Sequence, residues 1–213
     1  DPAEAIGIKW IKVEPGTFEM GSPASEDGAD PDETQHTVTL TKGYYISKYP
    51  ITFEQYDKFC EATGREKPKD FNWGRGKRPV VDVTWNDAQA FCEWLGCRLL
   101  TEAEWEYACR AGTTTPFSTG DNVTTDQANY DGTEPYKDYP EGIYRGRTTE
   151  VDELDNENPW GICDMHGNVY EWCADVYDNY PSTAVTDPTG PATGNDRVMR
   201  GGSWGHNACF ARS

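Results

Sequence analysis

The stretch from residue 113 to residue 160 has almost no helical or strand periodicity, and it strongly constrains what this chain can fold into. So long an irregular stretch is uncommon inside a compact domain, so it is either functional or held by bound ions and aromatic packing. Eight Trp, twelve Tyr and seven Phe are far more aromatic residues than a disordered chain carries. We therefore expect a folded domain with much irregular structure, and the 21 Gly and 14 Pro indicate many turns.

Short strands are predicted on both sides of this stretch. Alternating apolar and polar side chains predict four strands within the first fifty residues and two near the C-terminus. Strands and helices do not alternate regularly, so the pattern favours a mixed α+β fold, and we treat residues 1–213 as a single domain. The predicted strands span residues 10–13, 16–20, 36–40, 44–47, 169–173 and 198–200, and the short apolar run at 79–83 predicts one more.

Three helices are predicted between residues 52 and 112. Each has apolar side chains at helical spacing. The first and third also have a Thr followed three residues later by Gln or Glu, which is the spacing of a capping box. For the middle helix we expect an Asn or Asp cap. The expected N-caps are Thr52, then Asn86 or Asp87, and then Thr101.

The charge of the chain argues against two classes of partner. A net charge of −18 disfavours nucleic acids, whose phosphates need clustered Lys and Arg, and it disfavours anionic membrane surfaces. We therefore expect no nucleic-acid partner. No apolar run approaches the roughly 18 residues of a membrane helix, so we expect no membrane-spanning segment. The acidic runs at residues 25–33 and 150–157 are interpreted as solvated loops.

The cysteines favour buried thiols over a metal knuckle. No two of the seven have the CxxC spacing of zinc or thioredoxin-type sites. Cys92 and Cys109 follow apolar residues in predicted helices, where cysteine behaves as a small buried hydrophobe. We expect structural free thiols, with a disulfide framework as the alternative. The odd number leaves at least one thiol free or paired between chains.

A candidate cation site lies in the segment 158–172. Asp164 and Glu171 are seven residues apart, and a turn at Gly167 and Asn168 can aim carbonyl oxygens inward. Carboxylate and carbonyl oxygens suit Ca²⁺, which takes roughly 6–8 oxygen ligands. On spacing alone, the alternative is a tight turn into an aromatic-rich strand, with Glu171 as a surface charge.

Six motifs follow one another along nearly the whole chain. They begin at Pro15, Tyr49, Pro79, Arg98, Gly161 and Arg200, and they read PGTFEMG, YPIT, PVVDVTWNDA, RLLTEAEWEYA, GICDMHGNVYEW and RGGSW. In this order they resemble the formylglycine-generating enzyme (sulfatase-modifying factor) family. The resemblance implies an elaborated C-type lectin fold with two main helices, a small twisted antiparallel sheet, much irregular structure and bound Ca²⁺.

The resemblance also implies which residues hold Ca²⁺, the cofactor we expect. The positions that match one family site are Asp164, Gly167, Val169 and Glu171. They supply two carboxylates and two carbonyls, which suit Ca²⁺. A further site would use Asn129 and the Tyr130 carbonyl. Ile143 falls where its acidic partner is expected, so Asp138 or Glu141 would have to substitute.

Catalytic members of the family oxidise a substrate cysteine with two cysteines that closely follow the Gly-Gly-Ser motif. Such a thiolate pair can hold Cu(I), which soft ligands select. After Ser203 this chain has Cys209 alone. We therefore expect no copper and assign no catalytic residue, with a formylglycine-generating oxidase as the alternative. Iron-dependent relatives add a His-rich helical domain, whereas this chain has three widely spaced histidines.

A non-catalytic branch of the family serves as the variable protein of diversity-generating retroelements. In that branch the segment from about Arg-Gly-Gly-Ser-Trp onward is diversified and displayed, so we place the variable region from about residue 198 to the C-terminus. The positions expected to vary and to bind ligand are Gly205, His206, Asn207, Cys209 and Phe210. The positions expected to be framework are Trp204, Ala208, Ala211, Arg212 and Ser213.

The resemblance implies that the variable face binds a protein or a glycan. Tyr170 and Trp204 are expected beside this face, and an invariant accessory lectin-like domain is the alternative. The abrupt start at Asp1 leads us to expect a removed leader or lipid anchor, and hence an extracellular or cell-surface location. Relatives continue past the position of Ser213 to a Gly-Phe-Arg motif, so part of the variable region is expected to be absent here or disordered.

Overall fold

The first four strands form two antiparallel pairs. The computed structural model describes residues 5–213. Strand β1 (Trp10–Val13) pairs with β4 (Tyr44–Ser47), and β2 (Gly16–Met20) pairs with β3 (His36–Leu40). Strands β1 and β2 follow each other closely in the chain but do not pair with each other. The short connections at residues 14–15 and 41–43 therefore join strands of different sheets.

The C-terminal strands complete three small sheets in the described part of the chain. Strand β6 (Val185–Thr186) adds to β3 in parallel, and β5 (Glu171–Val176) pairs with β7 (Arg197–Arg200) in antiparallel fashion. The resemblance implied one antiparallel sheet, so the parallel pair and the division into three sheets are differences. Strand β5 begins two residues later than predicted, because the amide of Val169 still closes a tight turn on the Gly167 carbonyl at 2.9 Å. The strand predicted at residues 79–83 is wrong, since Pro79 forms an isolated bridge with Thr52 and the rest of the run is irregular.

Three helices lie between the strand pairs: α1 (Phe53–Thr63), α2 (Trp85–Leu95) and α3 (Glu102–Arg110). Thr52 and Thr101 are N-caps as predicted. The third helix adds to the two that the resemblance implied, and it is the one that the local pattern already predicted. No helix within residues 5–213 is both long and apolar enough to cross a bilayer.

The cap of α2 differs from the prediction. Thr84 is extended, and its hydroxyl accepts a hydrogen bond from the Asp87 amide at 3.2 Å. The Asp87 carboxylate in turn accepts from the Thr84 amide at 3.0 Å. The predicted cap at Asn86 or Asp87 is therefore wrong, because Asp87 occupies the third position of a capping box that begins at Thr84.

Aromatic packing holds the irregular stretch after α3, as its length suggested. Phe117 and Tyr136 are fully buried and meet edge to face, with ring centroids 5.1 Å apart. Ala208 and Ala211 pack into the same cluster from the C-terminal segment. Burying a large aromatic side chain stabilises a fold by about 1.5–3 kcal/mol. The stretch and the C-terminal segment therefore stabilise each other.

All seven cysteines are free, and five of them are buried. This confirms the prediction of structural thiols over a disulfide framework. Burial raises the pKa of Cys163 to about 11 and the pKa of Cys109 to about 12, so both stay protonated at neutral pH. They act as small apolar side chains in the core.

Candidate ligand-binding face and cation site

A double-glycine turn aims the C-terminal segment back across the domain. Strand β7 ends at Arg200, and both Gly201 and Gly202 have positive φ, at 92° and 70°. A Cβ on Gly202 would lie 2.7 Å from the Phe210 carbonyl oxygen. Only glycine allows this backbone and this close approach. The motif therefore sets where residues 205–210 lie.

The exposure of this segment separates the two predicted classes of residue. A short 3₁₀ helix spans Ala208–Ala211, and the Asn207 side chain caps it by accepting from the Cys209 amide at 3.0 Å. The residues expected to vary are all exposed or half-buried, namely Gly205, His206, Asn207, Cys209 and Phe210. Of those expected to be framework, Trp204 is half-buried and the others are buried, namely Ala208, Ala211, Arg212 and Ser213.

Three aromatic rings form a row on this face. His206 lies 5.1 Å from the Tyr170 ring and 5.3 Å from the Phe210 ring, edge to face in both cases. The His206 ring nitrogen Nδ1 also lies 2.7 Å from the Ser203 hydroxyl. Phe210 is 56% exposed. An aromatic side chain this exposed has little packing role and is available for contact with a partner.

The aromatic row lines an open groove of about 910 Å³. Strand β7 contributes Met199, which is 45% exposed, to the same lining. The loop at residues 28–33 and residues 177–180 also line the groove, and we call their part of the lining the acidic wall. The acidic residues of that wall are Asp30, Asp32, Glu33 and Asp178.

Arg212 attaches the acidic loop to the C-terminal segment. Its guanidinium forms ion pairs with Glu26 at 2.8 Å and Glu33 at 3.1 Å, and it donates to the Gly28 carbonyl. The Arg212 and Glu26 side chains are each only 7% exposed. The interpretation of residues 25–33 as a solvated loop is therefore wrong for Glu26, since a buried guanidinium needs a charged partner.

His166 holds the C-terminal segment from inside. Its Nδ1 donates to the Ala211 carbonyl at 2.7 Å, and its Nε2 accepts from the Ser118 amide at 3.0 Å. Burial lowers the pKa of His166 to about 4, so the ring is neutral at physiological pH. No local pattern in the sequence predicts this role, because both partners of His166 are distant along the chain.

Asp164 of the candidate cation site is buried and incompletely bonded, whereas Glu171 is half-buried. Asp164 is 3% exposed; its Oδ1 accepts from Asn156 Nδ2 at 2.7 Å, while its Oδ2 has no partner. Glu171 Oε2 accepts from the Trp105 indole at 3.0 Å. Burial raises the pKa of both carboxyls to about 7, and the charge of Glu171 contributes to the shift of Asp164. An unpaired buried carboxylate oxygen is costly, and a hard cation would satisfy it.

The turn between these two carboxylates is bonded to the double-glycine turn. The Gly167 amide donates to the Gly201 carbonyl at 2.6 Å, so the candidate cation site and the double-glycine turn share a hydrogen bond. Across residues 5–213, no three His, Cys, Asp or Glu side chains group as metal ligands. Carbonyl and amide oxygens would have to complete a Ca²⁺ shell. Asn156, whose buried Oδ1 has no partner, is a candidate that the sequence analysis missed.

The further site around Asn129 is less complete. Asn129 is fully buried, its Nδ2 donates to the Arg147 carbonyl at 2.9 Å, and its Oδ1 has no partner. Tyr130 beside it is also buried. The acids that would have to substitute, Asp138 and Glu141, are both exposed, as is Ile143.

Comparisons with known proteins give the family of the chain. Residues 4–213 match the model of the sulfatase-modifying factor enzyme 1-like domain. The formylglycine-generating enzyme of Thermomonospora curvata is 40% identical over 261 residues, covering 94% of this chain and 84% of the enzyme. The serine/threonine-protein kinase Pkn1 of Chlamydia trachomatis is 34% identical over 223 residues, covering 92% of this chain. The chain spans about one third of the length of the chlamydial kinases that it matches.

Solved structures show the same fold. PvdO from Pseudomonas aeruginosa matches with a TM-score of 0.79 and 31% identity, covering 95% of this chain and 85% of PvdO. Variable protein 1 of Treponema denticola matches with a TM-score of 0.77 and 24% identity, covering 96% and 87%. The predicted α+β class and lectin-type architecture are thereby confirmed. The chain belongs to the sulfatase-modifying factor enzyme 1-like family.

Proposed function

We propose that this chain is a non-catalytic, ligand-binding member of its family that presents residues 205–210 to a protein or glycan partner. The main support for this proposal is that the C-terminal segment divides into exposed residues, such as His206 and Phe210, and buried ones, such as Ala208 and Ala211. We place this function outside the cell or at its surface, a proposal that antibody labelling of intact cells tests.

The support beneath the face is what such a function needs. His166 and Arg212 hold the segment from two sides, and Ala208 and Ala211 pack into an aromatic cluster. Binding residues are commonly carried on loops that a rigid scaffold positions. Pre-organisation reduces the entropy lost on binding, whichever side chains the face carries. The scaffold is therefore suited to a binding face whose residues differ from one copy of the protein to another.

Removal of the two most prominent side chains tests the binding face. A glycan array and a displayed library of random peptides are screened with the wild-type protein and with His206→Ala/Phe210→Ala. We expect binders of the wild-type protein to lose affinity for the double variant without a change in melting temperature. Retained binding would show that the face is elsewhere, and a collapse of the melting temperature would make both residues structural.

We further propose that residues 205, 206, 207, 209 and 210 are diversified by a retroelement. Two observations support this: the fold is shared with variable protein 1 of Treponema denticola, and the framework residues between the exposed positions are buried. Sequencing the coding region from many independent cells is the test. Substitutions should fall on these codons and spare those of Ala208 and Ala211. Substitutions spread evenly along the gene would contradict the proposal.

We also propose that Asp164, Gly167, Val169 and Glu171 bind a structural Ca²⁺. The buried Asp164 oxygen without a partner supports this, and the Gly167 and Val169 carbonyls are the further oxygens that the family resemblance assigns to the site. Calorimetric titration of EDTA-treated protein with CaCl₂ should show binding that Asp164→Asn/Glu171→Gln removes. The control Asp138→Asn/Glu141→Gln makes the same charge change at exposed residues and should leave binding intact. Loss of Ca²⁺ binding in the control variant alone would assign the ion to the Asn129 site instead.

The oxidase is the alternative function, and the 40% identity to the Thermomonospora curvata enzyme favours it. Burial and the nearby charge of Asp27 raise the pKa of Cys209, which disfavours the thiolate that a copper site needs. Anaerobic Cu(I) titration beside turnover of a cysteine-containing sulfatase peptide, read by mass spectrometry, decides between the two. Tight copper binding with formylglycine product would make Cys209 catalytic. If neither copper binding nor formylglycine product is found, the binding function is supported.

A further inference from the structure

One wall of the groove carries carboxylates that nothing in the described chain neutralises. Asp30 and Asp178 are exposed and Asp32 is half-buried. None of the three forms a salt bridge within residues 5–213. The two loops that carry them are joined, since the Tyr180 amide donates to the Asp32 carbonyl at 3.0 Å. The three charges are therefore held together along one side of the groove.

The arginines that line the groove are already engaged. Arg200 pairs with Glu102 at 2.8 Å and Glu106 at 2.9 Å. Arg212 pairs with glutamates of the acidic loop. Arg197 stacks over the Trp85 ring at 3.9 Å and donates to a main-chain carbonyl. Arg197 forms no salt bridge within residues 5–213, but Asp30, Asp32 and Asp178 outnumber it, so the charge left over in the groove is negative.

The pKa of Tyr177 reflects its hydrogen bond to Asp32 and the negative charge at the acidic wall. Its hydroxyl donates to the Asp32 carboxylate, and it is 53% exposed. That hydrogen bond, together with burial and the charges of Asp32 and Asp30, raises the pKa of Tyr177 to about 12. The same potential would favour a cation brought by a partner.

The same groove has an aromatic wall. Phe210, His206 and Tyr170 form the aromatic row, and Met199 lines the groove with them. Aromatic faces attract ammonium and guanidinium groups as well as apolar side chains. Lys and Arg combine an apolar stem with a charged end, so they match a groove with one aromatic and one acidic wall.

We propose, on the basis of the proposed function, that the partner is a protein segment carrying Lys or Arg next to an aromatic or aliphatic side chain. The cation lies against Asp30, Asp32 and Asp178, and the apolar side chain lies against Phe210 and Met199. The acidic wall lies outside residues 198–213, so it does not change when the variable face changes. The preference for a positively charged partner is therefore constant, while the aromatic wall selects among such partners.

The test uses a displayed library of random peptides of about twelve residues as the probe. Wild-type protein should enrich peptides that combine Lys or Arg with aromatic residues. Synthetic copies should bind Asp30→Asn/Asp32→Asn/Asp178→Asn about tenfold more weakly, and added NaCl should reduce the difference. The matched control removes the same charge from exposed residues that do not line the groove, namely Glu66→Gln/Asp121→Asn/Asp126→Asn. It should bind within about twofold of wild type.

The outcomes distinguish failure of this inference from failure of the proposed binding function. Loss of binding in His206→Ala/Phe210→Ala but not in the groove triple variant would keep the binding face and overturn the cationic partner. An equal loss in the control triple variant would show a net-charge effect and would also overturn it. The cationic partner is also overturned if the wild-type protein enriches acidic or uncharged peptides, or if it enriches no peptide. If neither His206→Ala/Phe210→Ala nor the groove triple variant reduces binding, both proposals are contradicted.

Discussion

Arg212 and Glu26 form a buried ion pair, with Nη1 2.8 Å from Oε1, although 186 residues separate them in the chain. The same guanidinium reaches Glu33 and the Gly28 carbonyl. A Cβ on Gly28, whose φ is 78°, would lie 3.1 Å from the Cβ of Cys209. The acidic loop and the C-terminal segment are therefore in contact, and each wall of the groove depends on the other.

Arg212→Ala should lower the free energy of unfolding by about 3–5 kcal/mol, because it leaves a buried carboxylate without its partner. Urea unfolding measures the change. Arg65→Ala is the control, since the Arg65–Asp87 pair is exposed and 3.5 Å long; it should change the free energy by no more than about 1 kcal/mol. Equal effects of the two substitutions would mean that Arg212 is solvated in the native state.

His206→Ala/Phe210→Ala should change the free energy of unfolding by no more than about 0.5 kcal/mol, because both side chains are exposed. Ala208→Leu, in the same segment, should destabilise by about 1–3 kcal/mol, because Ala208 is fully buried. Thermal unfolding of the two variants side by side is the measurement. A larger loss in the double variant than in Ala208→Leu would reverse the assignment of face and framework.

Gly202→Ala should destabilise the C-terminal segment by about 1–3 kcal/mol, since its φ is positive and a Cβ would meet the Phe210 carbonyl. Gly205→Ala is the matched control, because a Cβ there meets nothing within 4 Å. Unfolding and limited proteolysis near the C-terminus compare the two. Equal protease resistance in both variants would argue against a tight double-glycine turn.

Asp175 should make stability fall as pH rises. It is buried and accepts a hydrogen bond from the Glu102 amide at 2.9 Å, and burial with the nearby charge of Glu102 raises its pKa from 3.8 to about 6. Since the folded pKa is the higher one, its contribution is full below about pH 4 and is lost as pH rises through about 6. Asp175→Asn does not titrate, so it removes this loss.

The advantage of wild type over Asp175→Asn should therefore shrink by up to about 2 kcal/mol between pH 4 and pH 7, after allowance for partial screening by solvent. Urea unfolding of both proteins across this range measures it. A difference that does not vary with pH would mean that the carboxyl titrates normally in the folded protein.

Local signals predicted the helices well and the strand pairing poorly. The caps at Thr52 and Thr101 depend on residues three positions away, so sequence spacing is enough to find them. Strand pairing depends on partners brought from elsewhere in the chain. The parallel addition of Val185–Thr186 to His36–Leu40 has no local signature, because neither strand encodes its neighbour.

The candidate sites divide in the same way. The sequence and its family resemblance pointed to residues 205–210 and to Asp164 with Glu171. They did not point to His166 as the support of the Ala211 carbonyl, or to Asn156 as a partner of Asp164. These contacts join segments that are remote in sequence or irregular in conformation. Propensity and periodicity carry no information about them.

The sequence by itself determined the elements that local chemistry controls: three helices that begin at capping residues, short alternating strands, and a pair of glycines before the C-terminal segment. Only the tertiary structure decided which surfaces meet. It joined the acidic loop to Arg212 and brought Asp30, Asp32 and Asp178 into one groove with Phe210. The physical reason is that burial and ion pairing act between whatever groups the completed fold brings together, whereas caps and turns act between neighbours along the chain.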